Sequence, residues 1–115
     1  MSVSFSLHLI PGDLTVLVQR AKLAEEAGFE QLWVAESHLT CRDLYISLTL
    51  CAINTSRIKL GPGVTTPLLR DNSVTASAIA TLNEVAPGRT LLGIGSGDTP
   101  VYMLGKKMAS LSTMR

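Results

Sequence analysis

Apolar and polar residues alternate over residues 3–9, where Ser4, Ser6 and His8 separate Val3, Phe5, Leu7 and Leu9. A period of two predicts a β-strand with one apolar face. Pro11 and Gly12 end it, and the period then changes. Leu14, Leu17, Val18, Ala21 and Ala24 recur at helical spacing. Asp13 stands where an N-cap carboxylate accepts from the free N–H groups of the first turn, and Gly28 where a left-handed residue stops a helix. The same grammar repeats. Residues 32–36 (LWVAE) form a short apolar run, followed by a polar loop over 37–43 and a helix over 44–54 with Leu44, Leu48, Cys51 and Ala52 on one face. Residues 58–64 (IKLGPGV) predict a third strand interrupted by glycine and proline. After a loop over 65–71, Asn72 or Ser73 is expected to cap a third helix carrying Val74, Ala78, Ile79 and Leu82. Pro87 and Gly88 make a turn, and residues 90–95 (TLLGIG) predict a fourth strand.

Strands therefore begin near residues 3, 32, 58 and 90, with a helix between each pair. A repeat of about 30 residues is that of right-handed βαβ units. The expected class is α/β, with four parallel strands and three covering helices. Composition agrees with buried parallel strands. The chain is 46% hydrophobic but only 4% aromatic, so its core must be Leu, Val, Ile and Ala.

Charge narrows the partners. The net charge is +1, and the longest basic run is Lys106–Lys107, so there is no electrostatic footprint for nucleic acid or an anionic membrane. No apolar stretch reaches the ~20 residues that span a bilayer, and residues 1–9 lack the basic start of a signal peptide. Cys41 and Cys51 fit no metal or redox spacing, and two distant histidines make no metal site. A reduced, cytoplasmic setting is the default expectation. Cys51 is expected to be a small core residue.

Both architectures that use this grammar, the open doubly wound sheet and the closed barrel, gather ligands at the C-terminal ends of the strands. His8, Pro11 and Gly12 follow the first strand; Glu36, Ser37 and His38 follow the second. Gly61, Gly63, Val64, Thr65 and Thr66 lie at the end of the third, and Gly95, Ser96, Gly97 and Asp98 at the end of the fourth. The opposite rim carries ordinary turn residues such as Gly28, Ser56, Arg57 and Gly88. An open nucleotide-binding sheet is disfavoured, because the turn after the first strand has no glycine-rich phosphate loop and bears Asp13. Gly93, Gly95 and Gly97 lack the dinucleotide-binding spacing.

Several segments together carry a family resemblance. Residues 24–29 (AEEAGF) and 32–36 (LWVAE) resemble the luciferase-like oxidoreductase superfamily. Residues 42–50 (RDLYISLTL), 55–65 (TSRIKLGPGVT), 82–89 (LNEVAPGR) and 92–98 (LGIGSGD) are similar to its branch of F420-dependent methylene-tetrahydromethanopterin reductases. The resemblance covers nearly the whole chain. It implies the N-terminal half of a (β/α)8 TIM barrel, with residues 1–115 as the N-terminal part of one luciferase-like domain. It also implies hydride transfer at C5 of coenzyme F420, or oxygen chemistry with FMN as the alternative cofactor, on a small organic substrate. By the same resemblance Gly63, Val64, Thr65, Gly95, Ser96 and Gly97 would meet the cofactor, and Gly63–Val64 would be a cis peptide in a bulge behind its ring. His38, Glu36 and Asp98 are the implied catalytic residues. The family's Asp-His pair reads here as Ser37-His38, with Glu36 one residue earlier.

The residues also allow plainer readings. His8 fits a core histidine, Gly61 and Gly63 an ordinary bulge, and Asp98 a cap for the turn at Thr99–Pro100. Glu36 fits a catalytic carboxylate or a partner of Arg42 or Arg70. A full barrel needs roughly 250 residues, and Ser110 reads as the cap of a fourth helix that never starts. A fragment truncated after strand four is therefore expected, with weak or absent cofactor binding by this chain alone. The competing function is a non-catalytic half-barrel whose open edges self-associate into a homo-oligomer.

Overall fold

The computed structural model describes residues 2–115. Strand β1 (Ser6–Leu9) leads through helix α1 (Leu14–Glu26) to β2 (Gln31–Val34). Helix α2 (Leu44–Ile53) follows, then β3 (Lys59–Pro62), α3 (Asn72–Val85) and a short α4 (Thr99–Met103). The three strands form a parallel sheet in the order β1-β2-β3.

Register explains which side chains are buried. Leu7, Leu32 and Leu60 stand in one row, and Leu9, Val34 and Pro62 in the next but one. Alternate residues share a face, so these rows meet the helices. They form the core with Leu17, Ala21 and Ala24 of α1, Leu44, Leu48, Cys51 and Ala52 of α2, and Leu82 of α3. Cys51 is completely buried, as expected, and burial pushes its thiol up to about 11. The intervening rows, Ser6 with Gln31 and Lys59, and His8 with Trp33 and Gly61, lie on the other face.

Local chemistry sets the helix starts. Asp13 accepts from the Val16 N–H at 3.0 Å and Asp43 from the Ile46 N–H at 2.9 Å, both as N-caps. The cap of α3 is Asp71, one residue before Asn72 and two before Ser73, the two expected caps. Its carboxylate accepts from the Ser73 N–H at 2.8 Å and the Ser73 hydroxyl at 2.5 Å, and these bonds hold its carboxyl below the usual range. A carboxylate without a competing amide donor is the better acceptor for free helix N–H groups.

The expected fourth strand is not a continuous one. Residues 90–94 run parallel beside β3 and meet that segment at two isolated bridges, Leu60 with Thr90 and Thr65 with Ile94. The ladder breaks for a covalent reason. The Leu60 N–H donates to Arg89 O at 2.8 Å and the Leu91 N–H to Leu60 O at 2.9 Å. The next donor on that side of β3 is Pro62, which has no N–H. Between the bridges β3 also spends five residue steps against four in the neighbouring segment, which is a bulge.

That fourth segment continues the sheet past β3 rather than returning beside β1. A doubly wound sheet makes the return and creates its ligand crevice there; this chain does not. Helix α1 packs on α2 and α2 on α3, so consecutive helices cover one side.

Candidate functional site

Every strand ends at one cavity of about 380 Å³. β1 contributes His8, and the end of β2 contributes Ala35 and Glu36. The segment leaving β3 contributes Gly63, Val64, Thr65 and Thr66, and the fourth segment Gly95, Ser96, Gly97 and Asp98. Of nine residues singled out from the sequence, eight line this cavity; His38 does not. His38 is exposed on the loop between β2 and α2, two residues beyond Glu36.

Glu36 is 8% exposed and both its oxygens are engaged. The Thr65 hydroxyl donates to Oε2 at 2.6 Å, and Arg70 Nη1 pairs with Oε1. Of the two arginines considered for it, Arg70 is the partner. Arg70 also reaches Asp43 Oδ2 at 3.8 Å and lies 5.0 Å above the Tyr45 ring centroid. Burial raises the Tyr45 phenol, with Arg70 opposing. The Glu36 carboxylate therefore enters the site charge-balanced and tethers Thr65.

Asp98 is different. It is the N-cap of α4 by position, and its backbone oxygen takes the Val101 and Tyr102 N–H groups at 3.0 and 3.1 Å. Its side chain makes no cap hydrogen bond. The plain capping role does not occupy this carboxylate, which is exposed at the cavity wall.

The glycines leave backbone open around Val64. A Cβ on Gly95 would lie 2.8 Å from Val64 Cγ2, and one on Gly97 2.6 Å from Val101 Cγ2. Gly97 also has φ +98°, a conformation that L side chains rarely adopt. Val64 itself is 51% exposed, an apolar side chain standing free in a polar rim. The Gly63–Val64 peptide is cis, as the resemblance implied.

Comparison with known proteins decides the kinship. The family model described as luciferase-like monooxygenase matches residues 3–109. The chain belongs to the luciferase-like monooxygenase family.

Within that family it is similar to two 5,10-methylenetetrahydromethanopterin reductases. The protein of Methanolobus tindarius is 42% identical over 101 residues, 87% of this chain and 31% of the relative. That of Archaeoglobus fulgidus is 51% identical over 81 residues, 70% of this chain and 24% of the relative. Among solved structures, the coenzyme F420 dependent tetrahydromethanopterin reductase of Methanopyrus kandleri superposes with a TM-score of 0.86 at 40% identity, covering 91% of this chain and 30% of that one. This luciferase-like chain thus spans less than a third of the length of these relatives.

Sequence reasoning undervalued His8, which lines the cavity rather than filling the core. It placed Thr66 on the ligand-gathering rim without a cofactor role, and left the partner of Glu36 open between Arg42 and Arg70; Thr66 lines the cavity and Arg70 ties the β3 exit to Glu36. The signal for His8 was a polar residue one step from the end of an otherwise apolar strand. Among the described residues, no three His, Cys, Asp or Glu side chains gather as metal ligands would, and no helix is long and apolar enough to cross a membrane.

Proposed function

We propose that this chain supplies one wall of the cofactor pocket of an oxidoreductase that uses coenzyme F420, as the first part of a (β/α)8 barrel. The observation that carries the reading is the convergence of Val64, Gly95, Ser96, Gly97 and Asp98 on one cavity at the C-terminal ends of the strands. The residues fit a planar ring. The exposed Val64 side chain offers an apolar contact for one ring face, and the side-chain-free backbone at Gly95 and Gly97 admits close approach. The cavity is within the usual size range of small-molecule sites.

A bound deazaflavin supplies hydride transfer at its C5. In this reading the chain's own residues do the rest. Val64 and Gly95 would hold the ring. Asp98, uncommitted to capping, holds a proton donor of the small organic substrate or accepts its proton. Glu36, paired with Arg70, positions Thr65. His38 acts from the outer rim of the β2–α2 loop, so its removal costs less than that of Asp98.

The test is a titration of the chain with F420 and with FMN, followed by emission of its single tryptophan, Trp33. Trp33 packs beneath Gly63 and Gly93 on the face of the sheet that carries His8. Saturable quenching by F420 in the millimolar range, weakened at least tenfold by Gly95→Val, is expected. Tighter binding of FMN would reassign the cofactor. No saturable response to either, or one that Gly95→Val leaves unchanged, would overturn the reading.

The second reading, a non-catalytic half-barrel that self-associates, is favoured by the exposed apolar residues Phe5, Leu92 and Ile94.

A further inference from the structure

His8 lies in register with Trp33, and Trp33 with Gly61, so the three share the face of the sheet turned away from the helices. From there the His8 ring reaches the segment leaving β3. Its Nε2 is 2.7 Å from the Gly63 carbonyl oxygen. A carbonyl oxygen only accepts, so the ring nitrogen must carry the proton. Gly63 is otherwise tightly surrounded. Its N–H donates to Val34 O at 2.8 Å. A Cβ there would lie 2.6 Å from Trp33 Cβ and 3.3 Å from His8 Cδ2. Both polar backbone atoms of Gly63 are therefore held, the N–H by β2 and the carbonyl by His8.

We propose that His8 is a positioning residue: its Nε2–H fixes the Gly63 carbonyl and thereby aims the Val64 side chain into the cavity. The bond locks the neutral ring in the Nε2–H tautomer and leaves Nδ1 as a bare acceptor on a side chain that lines the cavity. Glutamine can replace the donor, because its amide nitrogen reaches about as far and still gives an N–H. Alanine cannot. The geometry of the latch stands by itself, and its bearing on a cofactor rests on the pocket reading above.

Long-range proton–nitrogen NMR of the full chain at mildly alkaline pH reads the tautomer directly, with His8→Gln separating the His8 signals from those of His38. The expected result is a protonated Nε2 and an unprotonated Nδ1 on His8; the opposite tautomer overturns the proposal. Methyl spectra then follow Val64. His8→Ala is expected to move the Val64 methyl and Gly63 amide signals, and His8→Gln to restore them toward wild type. Unmoved Val64 signals in a folded His8→Ala chain also overturn it. Should the alanine variant not fold, the wild-type tautomer and the glutamine spectrum still decide. A chain that shows the Nε2–H tautomer but takes up neither F420 nor FMN sinks the pocket reading and leaves this one intact.

Discussion

Arg70 and Glu25 show how single charged side chains fix the loops at the two rims of the sheet. The Arg70 guanidinium is the cationic partner of a carboxylate whose side chain is only 2% exposed. Removing it leaves Glu36 buried with a hydroxyl as its remaining partner. Arg70→Met is therefore expected to cost about 3 kcal/mol in urea denaturation, the usual penalty for orphaning a buried charge. A loss below half of that would show that Glu36 is better solvated than the structure implies. Glu25, on the opposite rim, accepts from the N–H groups of Ser56, Arg57 and Ile58, with the Arg57 bond at 2.6 Å. Burial alone would raise its carboxyl, but these backbone donors win and hold it at about 2, against an ordinary value of 4.5. The folded state thus binds the proton more weakly than the unfolded chain does. This contribution is present above about pH 4.5 and is lost as the pH falls toward about 2. Glu25→Gln is expected to destabilise the neutral-pH protein by about 1 kcal/mol after allowance for solvent screening. That difference should vanish on acidification, which urea midpoints across the pH range would check.

At the scale of elements, the approach of β3 to the fourth segment is set by missing side chains. A Cβ at Gly61 would run into the Leu91 carbonyl, and one at Gly93 into the Pro62 carbonyl. Gly61→Ala is expected to cost about 2 kcal/mol, as overpacking does, and to weaken protection of the Leu91 amide in hydrogen exchange; an unchanged Leu91 amide would contradict the close approach. The helices and the first three strands were legible from period and caps because those signals are local: Asp13 and the Leu44–Leu48–Cys51 stripe act within a few residues of themselves. The fourth strand was over-read because its apolar run is strand-like, whereas its pairing depends on what β3 offers, and Pro62 offers no donor. Glu25 was illegible for the same reason, and Arg70 was named only as one of two arginines that fit Glu36. Their partners lie 31 to 34 residues away, and no spacing rule marks them. The site residues were read through position at strand ends, and His38, four residues beyond the end of β2, is the one that stands apart from the cavity.

At the scale of the whole molecule, the sheet is covered on one side and open on the other. β1 is an edge strand, and its approach carries Val3 and Phe5 at 74% and 66% exposure. Leu92 and Ile94 are about half exposed on the segment at the other edge. Edges and apolar surface of this kind favour association. Light scattering after size exclusion is expected to give at least twice the chain mass, and a stable monomer at micromolar concentration would argue that the open face is tolerated. The central claim is narrower: the strand ends form a seat for a planar cofactor ring. Amide and methyl shift mapping during titration with F420 tests it most directly. The account predicts shifts concentrated at Val64, Gly95, Ser96 and Gly97, whereas shifts confined to the groove between α2 and α3 around Ile46 and Val85, or none at Val64, would contradict it.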